Sequence, residues 1–174
     1  RNSPVFYMMF SLFLKMGLGV DSLKFINLII ILPIIFYFNK CVDIKYNNIS
    51  SSVKFYVLSI FLLSPTVRTL LIWPYPLLWA LSFFIVATYF YLNFEETSDS
   101  SKKTKFAYCN IFFLALAAYF TPNFAIFSFY FFYKYYLTFG NSRKTLNMIL
   151  LNIFLALPAI YFLVLKDFYF LNSD

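Results

Sequence analysis

The stretch Pro76-Leu77-Leu78-Trp79-Ala80-Leu81-Ser82-Phe83-Phe84-Ile85-Val86-Ala87-Thr88-Tyr89-Phe90-Tyr91-Leu92 contains no charged residue. Its length approaches the roughly 20 apolar residues an α-helix needs to cross a bilayer. Comparable runs lie on both sides of it. The chain of 174 residues is 62% hydrophobic and only 12% charged. A soluble domain of this size needs far more polar surface, so the solvent implied is lipid. The fold class expected is all-α: a polytopic transmembrane helical bundle of about six spans plus one short interfacial helix, with residues 1–174 forming one transmembrane domain.

Upstream of the quoted stretch, Pro4 to Val20 carries Lys15 and ends in Gly17-Leu18-Gly19, which reads as a turn, so this run suits an interfacial helix. Ser22 to Phe38 is expected to cross, with Asp21 or Ser22 as helix cap and Pro33 as a kink. The run from Val53 breaks at Ser64-Pro65-Thr66-Val67-Arg68 and resumes through Thr69 to Trp73. As a helix, Val53 to Val67 reaches only about 22 Å against a hydrocarbon core of roughly 30 Å. Arg68 therefore falls at or inside the membrane boundary.

Downstream, Asn93 to Lys105 (93–105) is the clearly hydrophilic stretch and is expected to be a solvated, mobile cytoplasmic loop. Phe106 to Phe120 and Phe124 to Phe139 meet at Thr121-Pro122-Asn123, a turn signal that predicts a helical hairpin. Leu146 to Leu165 follows Gly140-Asn141-Ser142-Arg143-Lys144 as a further span with Pro158 inside it. The chain opens at Arg1 with no initiator Met, charged n-region or small-residue cleavage site, which reads as an internal fragment rather than a signal peptide.

Lysines and arginines set the expected orientation. Lys40, Lys45, Lys54, Lys102, Lys103, Lys105, Lys134, Arg143 and Lys144 fall on one side of the alternating spans, and Lys24, Arg68 and Lys166 on the other. By the positive-inside rule the first group is cytoplasmic. The side of Arg1 and Lys15 depends on whether the first run crosses. The Asn48-Ile49-Ser50 sequon falls in a cytoplasmic connection and is discounted as a glycosylation acceptor. The net charge of +7 sits in loops rather than on one periodic face, so no nucleic-acid partner is expected.

Chemistry is sparse. There is no His, which removes the commonest general base and metal ligand. Cys41 and Cys109 stand alone without metal-ligand spacing, so no metal and no cofactor is expected. The 26 Phe and 15 Tyr fit a membrane core and its interfaces as readily as a stacking surface. Three polar sites fall on the extracytoplasmic edge: Arg1-Asn2-Ser3-Pro4, Ser64 to Tyr75, and Thr121 to Asn123. The second stands out because a charge beside Pro65, followed by Trp73-Pro74-Tyr75-Pro76, is costly near lipid. Arg68 suits a phosphate, since its planar fork holds two oxygens at once. Snorkelling of Arg68 and interface anchoring by Trp73 and Tyr75 explain the same residues. Asp21 fits a cap as well as a catalyst, and Asp167 is a lone acid beside Lys166.

The order Asn2-Ser3-Pro4-Val5-Phe6-Tyr7, then Leu12-Phe13-Leu14-Lys15-Met16-Gly17, then Ser22-Leu23-Lys24-Phe25-Ile26-Asn27 resembles the segment after the first extracytoplasmic loop in GT-C superfamily membrane glycosyltransferases of the family 39 type. Those enzymes carry a His-Pro-Pro-like or related Pro-aromatic start there, and this chain has Asn2-Ser3-Pro4 instead. Ser64-Pro65 with Arg68 and the return at Thr121-Pro122-Asn123 are similar in layout to that superfamily. The resemblance implies transfer of a sugar from a polyprenyl-phosphate donor to an acceptor on the extracytoplasmic face, in a bacterial inner membrane or an endoplasmic reticulum membrane. It also implies a catalytic Asp in a loop upstream of Arg1. The substrate-binding candidates in this chain are then Arg68, Trp73, Tyr75, Thr121 and Asn123, with the catalytic residues unknown. A polysaccharide polymerase, a lipid-linked oligosaccharide flippase or another polytopic transporter is the competing class. Transporters tend towards internal repeats and mid-membrane ionisable groups, and neither is visible here.

Overall fold

A computed structural model describes residues 4–46, 49–73 and 75–161, and among these every regular element is helical. The order is α1 (Pro4–Lys15), α2 (Val20–Ile29), α3 (Ile31–Lys45), α4 (Ser51–Leu63), α5 (Pro65–Ile72), α6 (Pro76–Glu96), α7 (Ser100–Phe120), a 3-10 helix (Pro122–Ile126), α8 (Phe127–Phe139) and α9 (Arg143–Ile160). By length and composition, three helical segments can cross a membrane: Lys24–Lys45, Pro76–Glu96 and Arg143–Ile160. The pair α4 and α5, bent by 61°, makes a fourth if counted as one broken span. Six is not reached among the described residues. α1 has 12 residues and α8 has 13, and α7 opens with Lys102, Lys103 and Lys105 and carries Asn110.

Local chemistry explains the boundaries. α1 stops where Gly17 takes φ +84°, with the Leu18 N–H bonded to the Phe13 carbonyl at 3.1 Å and the Gly17 N–H to that of Leu14 at 3.0 Å. This paired closure of a helix C-terminus needs a left-handed residue, which glycine supplies without steric cost. α2 and α3 are separated only at Ile30. Pro33 has no N–H for the Ile29 carbonyl and its ring crowds that carbonyl; the interruption at Ile30 lies one turn upstream, with Ile30 still right-handed helical (φ −62°, ψ −19°) and Lys24–Lys45 counting as one apolar span. The expected cap is corrected. Gly19 is the N-cap of α2, with no side-chain cap bond, and Asp21 lies inside the first turn, bonded to Lys24 at 2.8 Å.

The mobile loop at 93–105 is also corrected. α6 continues through Glu96 and α7 begins at Ser100, leaving only Thr97 to Asp99 between them. Asp99 accepts from the Ser101 N–H at 2.8 Å and the Lys102 N–H at 3.5 Å, capping α7. The polar residues there are two solvated helix ends rather than a loop. The turn at Thr121-Pro122-Asn123 is found, drawn out into the 3-10 helix, with Thr121 extended (φ −143°, ψ 106°) as the residue before a proline prefers. Ser142 caps α9, which starts at Arg143, earlier than the apolar run. The end of that run, Asn2 and Ser3, Asn48 of the sequon, Lys166 and Asp167 lie outside the described residues.

Helix α6 is the centre. Half of its candidate span is buried (50%), against 11% for Lys24–Lys45 and for α9. It pairs antiparallel with α7: Trp79 stacks on Phe120 at 5.8 Å, Phe90 on Phe113 at 5.6 Å, and Lys103 lies over Phe94. On its other side α2 and α3 run parallel to it, Asn27 meeting Trp79 and Tyr37 meeting Tyr89 further along both. α8 also runs parallel to α6, with Tyr91 against Phe131 and Phe94 against Tyr135. The main core therefore joins Ala87, Tyr91 and Phe94 to Ala107, Ile111, Leu114, Phe131, Tyr135 and Met148. A second cluster holds Phe6 of α1 against Trp79, Ala80 and Phe120, and a third holds Ile34 against Leu70, Leu78 and Ile85.

This packing gathers the basic connections at one end. Lys54 pairs with Asp43, Lys134 with Glu95 at 3.7 Å, and Lys144 donates to the Ser100 hydroxyl at 2.7 Å. α1, Trp79, Phe120 and the α5–α6 junction occupy the opposite end.

Candidate functional site

At that opposite end, α5 is an eight-residue helix that starts at Pro65 and buries Val67 and Leu70. Proline at the first helical position loses nothing there, because that N–H has no helical partner in any case. Arg68 lies on the outer face. It is exposed, and no carboxylate pairs with it among the described residues. Trp73 closes α5 and is 65% exposed, and Tyr75 precedes α6 and is 44% exposed. Thr121 ends α7 half-buried, and Asn123 is exposed in the 3-10 helix.

The five candidates thus divide into two groups, Arg68 with Trp73 and Tyr75 on one helix junction, and Thr121 with Asn123 on the other. Both sit at the same end of the α6–α7 pair, whose Trp79 and Phe120 rings stack there. Among the described residues no hydrogen bond or ion pair joins the groups. What the arrangement offers is a cation beside the N-terminal end of a short helix, where the partial positive charge of the backbone also favours an anion. Arg1, Asn2, Ser3 and Pro74 lie outside the described residues, and Pro4 is buried.

The element that holds α5 in place was not singled out from the sequence. Asn27 is fully buried, and its amide donates to the carbonyls of Leu70 at 2.7 Å and Leu71 at 3.0 Å. Its carbonyl accepts from the Trp79 indole at 3.2 Å. Leu70 and Leu71 lie in the last turn of α5, where carbonyls lack helical donors. The residue four beyond Leu70 is Pro74, which has no N–H to give. A polar side chain within an apolar run was the available signal, because an amide in hydrocarbon needs a partner.

Asn110 repeats the pattern in the main core. It donates to the Ala87 carbonyl at 2.8 Å and accepts from the Tyr135 hydroxyl at 2.7 Å. Polar contacts also link α6 to α8 nearer the basic end: Tyr91, which donates to Glu95 within α6 at 2.5 Å, has its hydroxyl 3.4 Å from that of Tyr130, and Lys134 pairs with Glu95 at 3.7 Å.

The acids are committed elsewhere. Asp43 pairs with Lys54, Glu95 with Tyr91 and Lys134, Asp99 caps α7, and Glu96 sits at the same basic end. Asp21 is the described carboxylate at the Arg68 end. Its hydrogen bond to Lys24 and the charge of that ammonium hold it below the usual carboxylate range. Among the described residues no group of three or more His, Cys, Asp or Glu could hold a metal ion.

The chain matches no protein-family model, no curated protein and no solved structure.

Proposed function

We propose that this chain belongs to a multi-pass membrane glycosyltransferase that moves a sugar from a polyprenyl-phosphate donor to an acceptor on the extracytoplasmic face. The observation that carries the reading is the broken α4–α5 unit, bent by 61°, which carries an exposed Arg68 without a carboxylate partner among the described residues on the short helix that leads to the exposed Trp73 and Tyr75. A lipid-linked donor keeps its tail in the bilayer and its phosphate at the membrane edge, where a guanidinium can hold two oxygens. The resemblance to GT-C enzymes supports the same assignment.

In this reading α7 and the unit formed by the 3-10 helix and α8 also lie in the bilayer, giving about six crossings, and the end carrying Lys45, Lys54, Lys102 and Arg143 is cytoplasmic. The base that takes the acceptor proton is a carboxylate outside the described residues, since those described are paired, capping or at the basic end. Thr121 and Asn123 then face the acceptor or the sugar from the second junction.

The test is sugar transfer by the full-length protein reconstituted in nanodiscs with a polyprenyl-phosphate sugar. Arg68→Ala should lower donor use by about tenfold or more, as loss of a charged hydrogen bond does. Arg68→Lys, which keeps charge but loses the fork, should recover only part of it. Unchanged transfer in both variants would reduce Arg68 to an interfacial anchor.

The break between α4 and α5 also favours a second reading. Discontinuous helices form the substrate sites of many transporters. A flippase would move the lipid-linked sugar between leaflets with no acceptor present, whereas the transferase consumes it only when the acceptor is added.

A further inference from the structure

The helices α7 and α9 run parallel and begin side by side, Lys144 of α9 reaching the Ser100 hydroxyl of α7 at 2.7 Å. The first two turns of α7 carry Lys102, Lys103 and Lys105, and the first turn of α9 carries Arg143 and Lys144. Neither first turn contains an acid. Cations at this end of a helix work against the backbone dipole, which favours negative charge there. Backbone donors are already met by Asp99 for α7 and by Ser142 for α9, so the lysines and the arginine themselves are the unmet groups.

Of the other basic residues at this end, Lys40 and Lys45 on the last turns of α3 form no ion pair among the described residues, while two have carboxylate partners. Lys54 is held by Asp43 and Lys134 by Glu95. On the α7–α9 patch, Lys103 and Lys144 lie over the rings of Phe94 and Phe139, which fixes their heads without cancelling their charge. Lys102, Lys105 and Arg143 are exposed and form no ion pair among the described residues. The nearby carboxylates are Asp99, which caps α7, and Glu96, and the cations outnumber them.

We infer that the starts of α7 and α9 form a binding surface for anionic phospholipid headgroups of the facing leaflet. Charge complementarity selects the partner, and depth selects its source. The patch lies at the start of α9, which is long and apolar enough to cross a membrane, and of α7 packed beside it; at the headgroup level such Lys and Arg residues attract anionic lipid. The surface is at the opposite end from Arg68 and stands whether or not the transferase reading does. Separation of charge along α7 is the device: lysines at its start, an uncharged remainder from Phe106 to Phe120.

The probe is spin-labelled phosphatidylglycerol against spin-labelled phosphatidylcholine, with the full-length protein in phosphatidylcholine nanodiscs. The wild-type protein should prefer phosphatidylglycerol by about fivefold or more, the scale of one well-placed cation. Lys102→Gln/Lys105→Gln/Arg143→Gln should bring the ratio close to unity, while Lys40→Gln/Lys45→Gln should leave most of it. Lys54 and Lys134 stay in place throughout to keep the orientation signal. Equal association of the two lipids in wild type, an unchanged ratio in the triple variant, or an equal loss in the Lys40/Lys45 control would overturn the assignment. So would abolition of the preference by millimolar inorganic phosphate, which would make the patch a soluble-anion site.

Discussion

Asn27 and Asn110 are both fully buried, both donate to backbone carbonyls of a neighbouring helix and both accept from an aromatic side chain, yet they serve different ends. Asn110 joins long helices in the main core, and its acceptor, the Ala87 carbonyl, lies in the interior of α6. That carbonyl also has a helical donor. Asn27 serves the last turn of α5, whose Leu70 carbonyl has no helical donor in the sequence because residue 74 is proline. One asparagine adds a tie between structures that would stand anyway. The other completes a helix that cannot complete itself, and so sets where Arg68 and Trp73 are presented.

The contrast predicts different failures. Asn110→Ala should cost most, about 2 to 3 kcal/mol, because it leaves the buried Tyr135 hydroxyl without its acceptor and enlarges the space beside Ile111 and Phe131. The loss should be global, read as a lower midpoint in unfolding from mixed micelles. Tyr135→Phe removes donor and hydroxyl together and should cost about 1 kcal/mol. In the double variant the effects should be less than additive by about 1 kcal/mol. Additive losses would mean that the two side chains do not share a bond.

Asn27→Ala should cost less overall, about 1 kcal/mol, in line with hydrogen bonds between membrane helices. Its signature is local. Hydrogen exchange should quicken in α5 while α6 and α7 stay protected, and Trp79 should lose its acceptor. Uniform loss of protection across α6 and α7 would erase the distinction between the two asparagines. Where transferase activity can be followed, Asn27→Ala should mimic a weak Arg68 variant, whereas Asn110→Ala should lose activity only in proportion to folded protein.

The sequence makes the helical class, the α4–α5 break and the return at Pro122 legible, because each depends on local rules of apolar length and proline chemistry. Side-chain partnership is not local. Asn27 and its acceptors on α5 are 43 and 44 residues apart, so in the run Ser22 to Phe38 it reads as one odd amide in the apolar stretch that follows Lys24. The stretch 93–105 misled for the opposite reason. Its polar residues describe where the chain meets water, and helix ends meet water as readily as loops do. At the candidate site, Arg68, Trp73 and Tyr75 were legible as a polar edge, but that Thr121 and Asn123 share their end of the bundle depends on the antiparallel pairing of α6 with α7. The expected six crossings count α7 and α8 as spans, and among the described residues α8 has only 13 residues and α7 carries three lysines near its start, so neither stands among the three or four candidate spans.

The smallest effect sharpens the Asn27 side of the comparison. Asp21, two turns before Asn27 on the same helix, is fully exposed and bonded to Lys24 at 2.8 Å. Hydrogen bonding and attraction from that ammonium lower its pKa in the folded state. A depressed carboxylate contributes stability at pH values above its unfolded pKa, about 3.9, and loses that contribution as pH falls through the lower folded value. Exposure to solvent keeps the contribution slight. Carbon-detected NMR titration of the Asp21 carboxyl should give a midpoint below the ordinary aspartate value, and Lys24→Gln should move it upward towards that value. Asp21→Asn should separate slightly from wild type in α2 exchange rates at neutral pH and converge with it below the folded midpoint. If the Asp21 midpoint were ordinary in wild type and unmoved by Lys24→Gln, the pair would not persist in solution, and the placement of α2 against α5 would then rest on Asn27 and the apolar contacts around it alone.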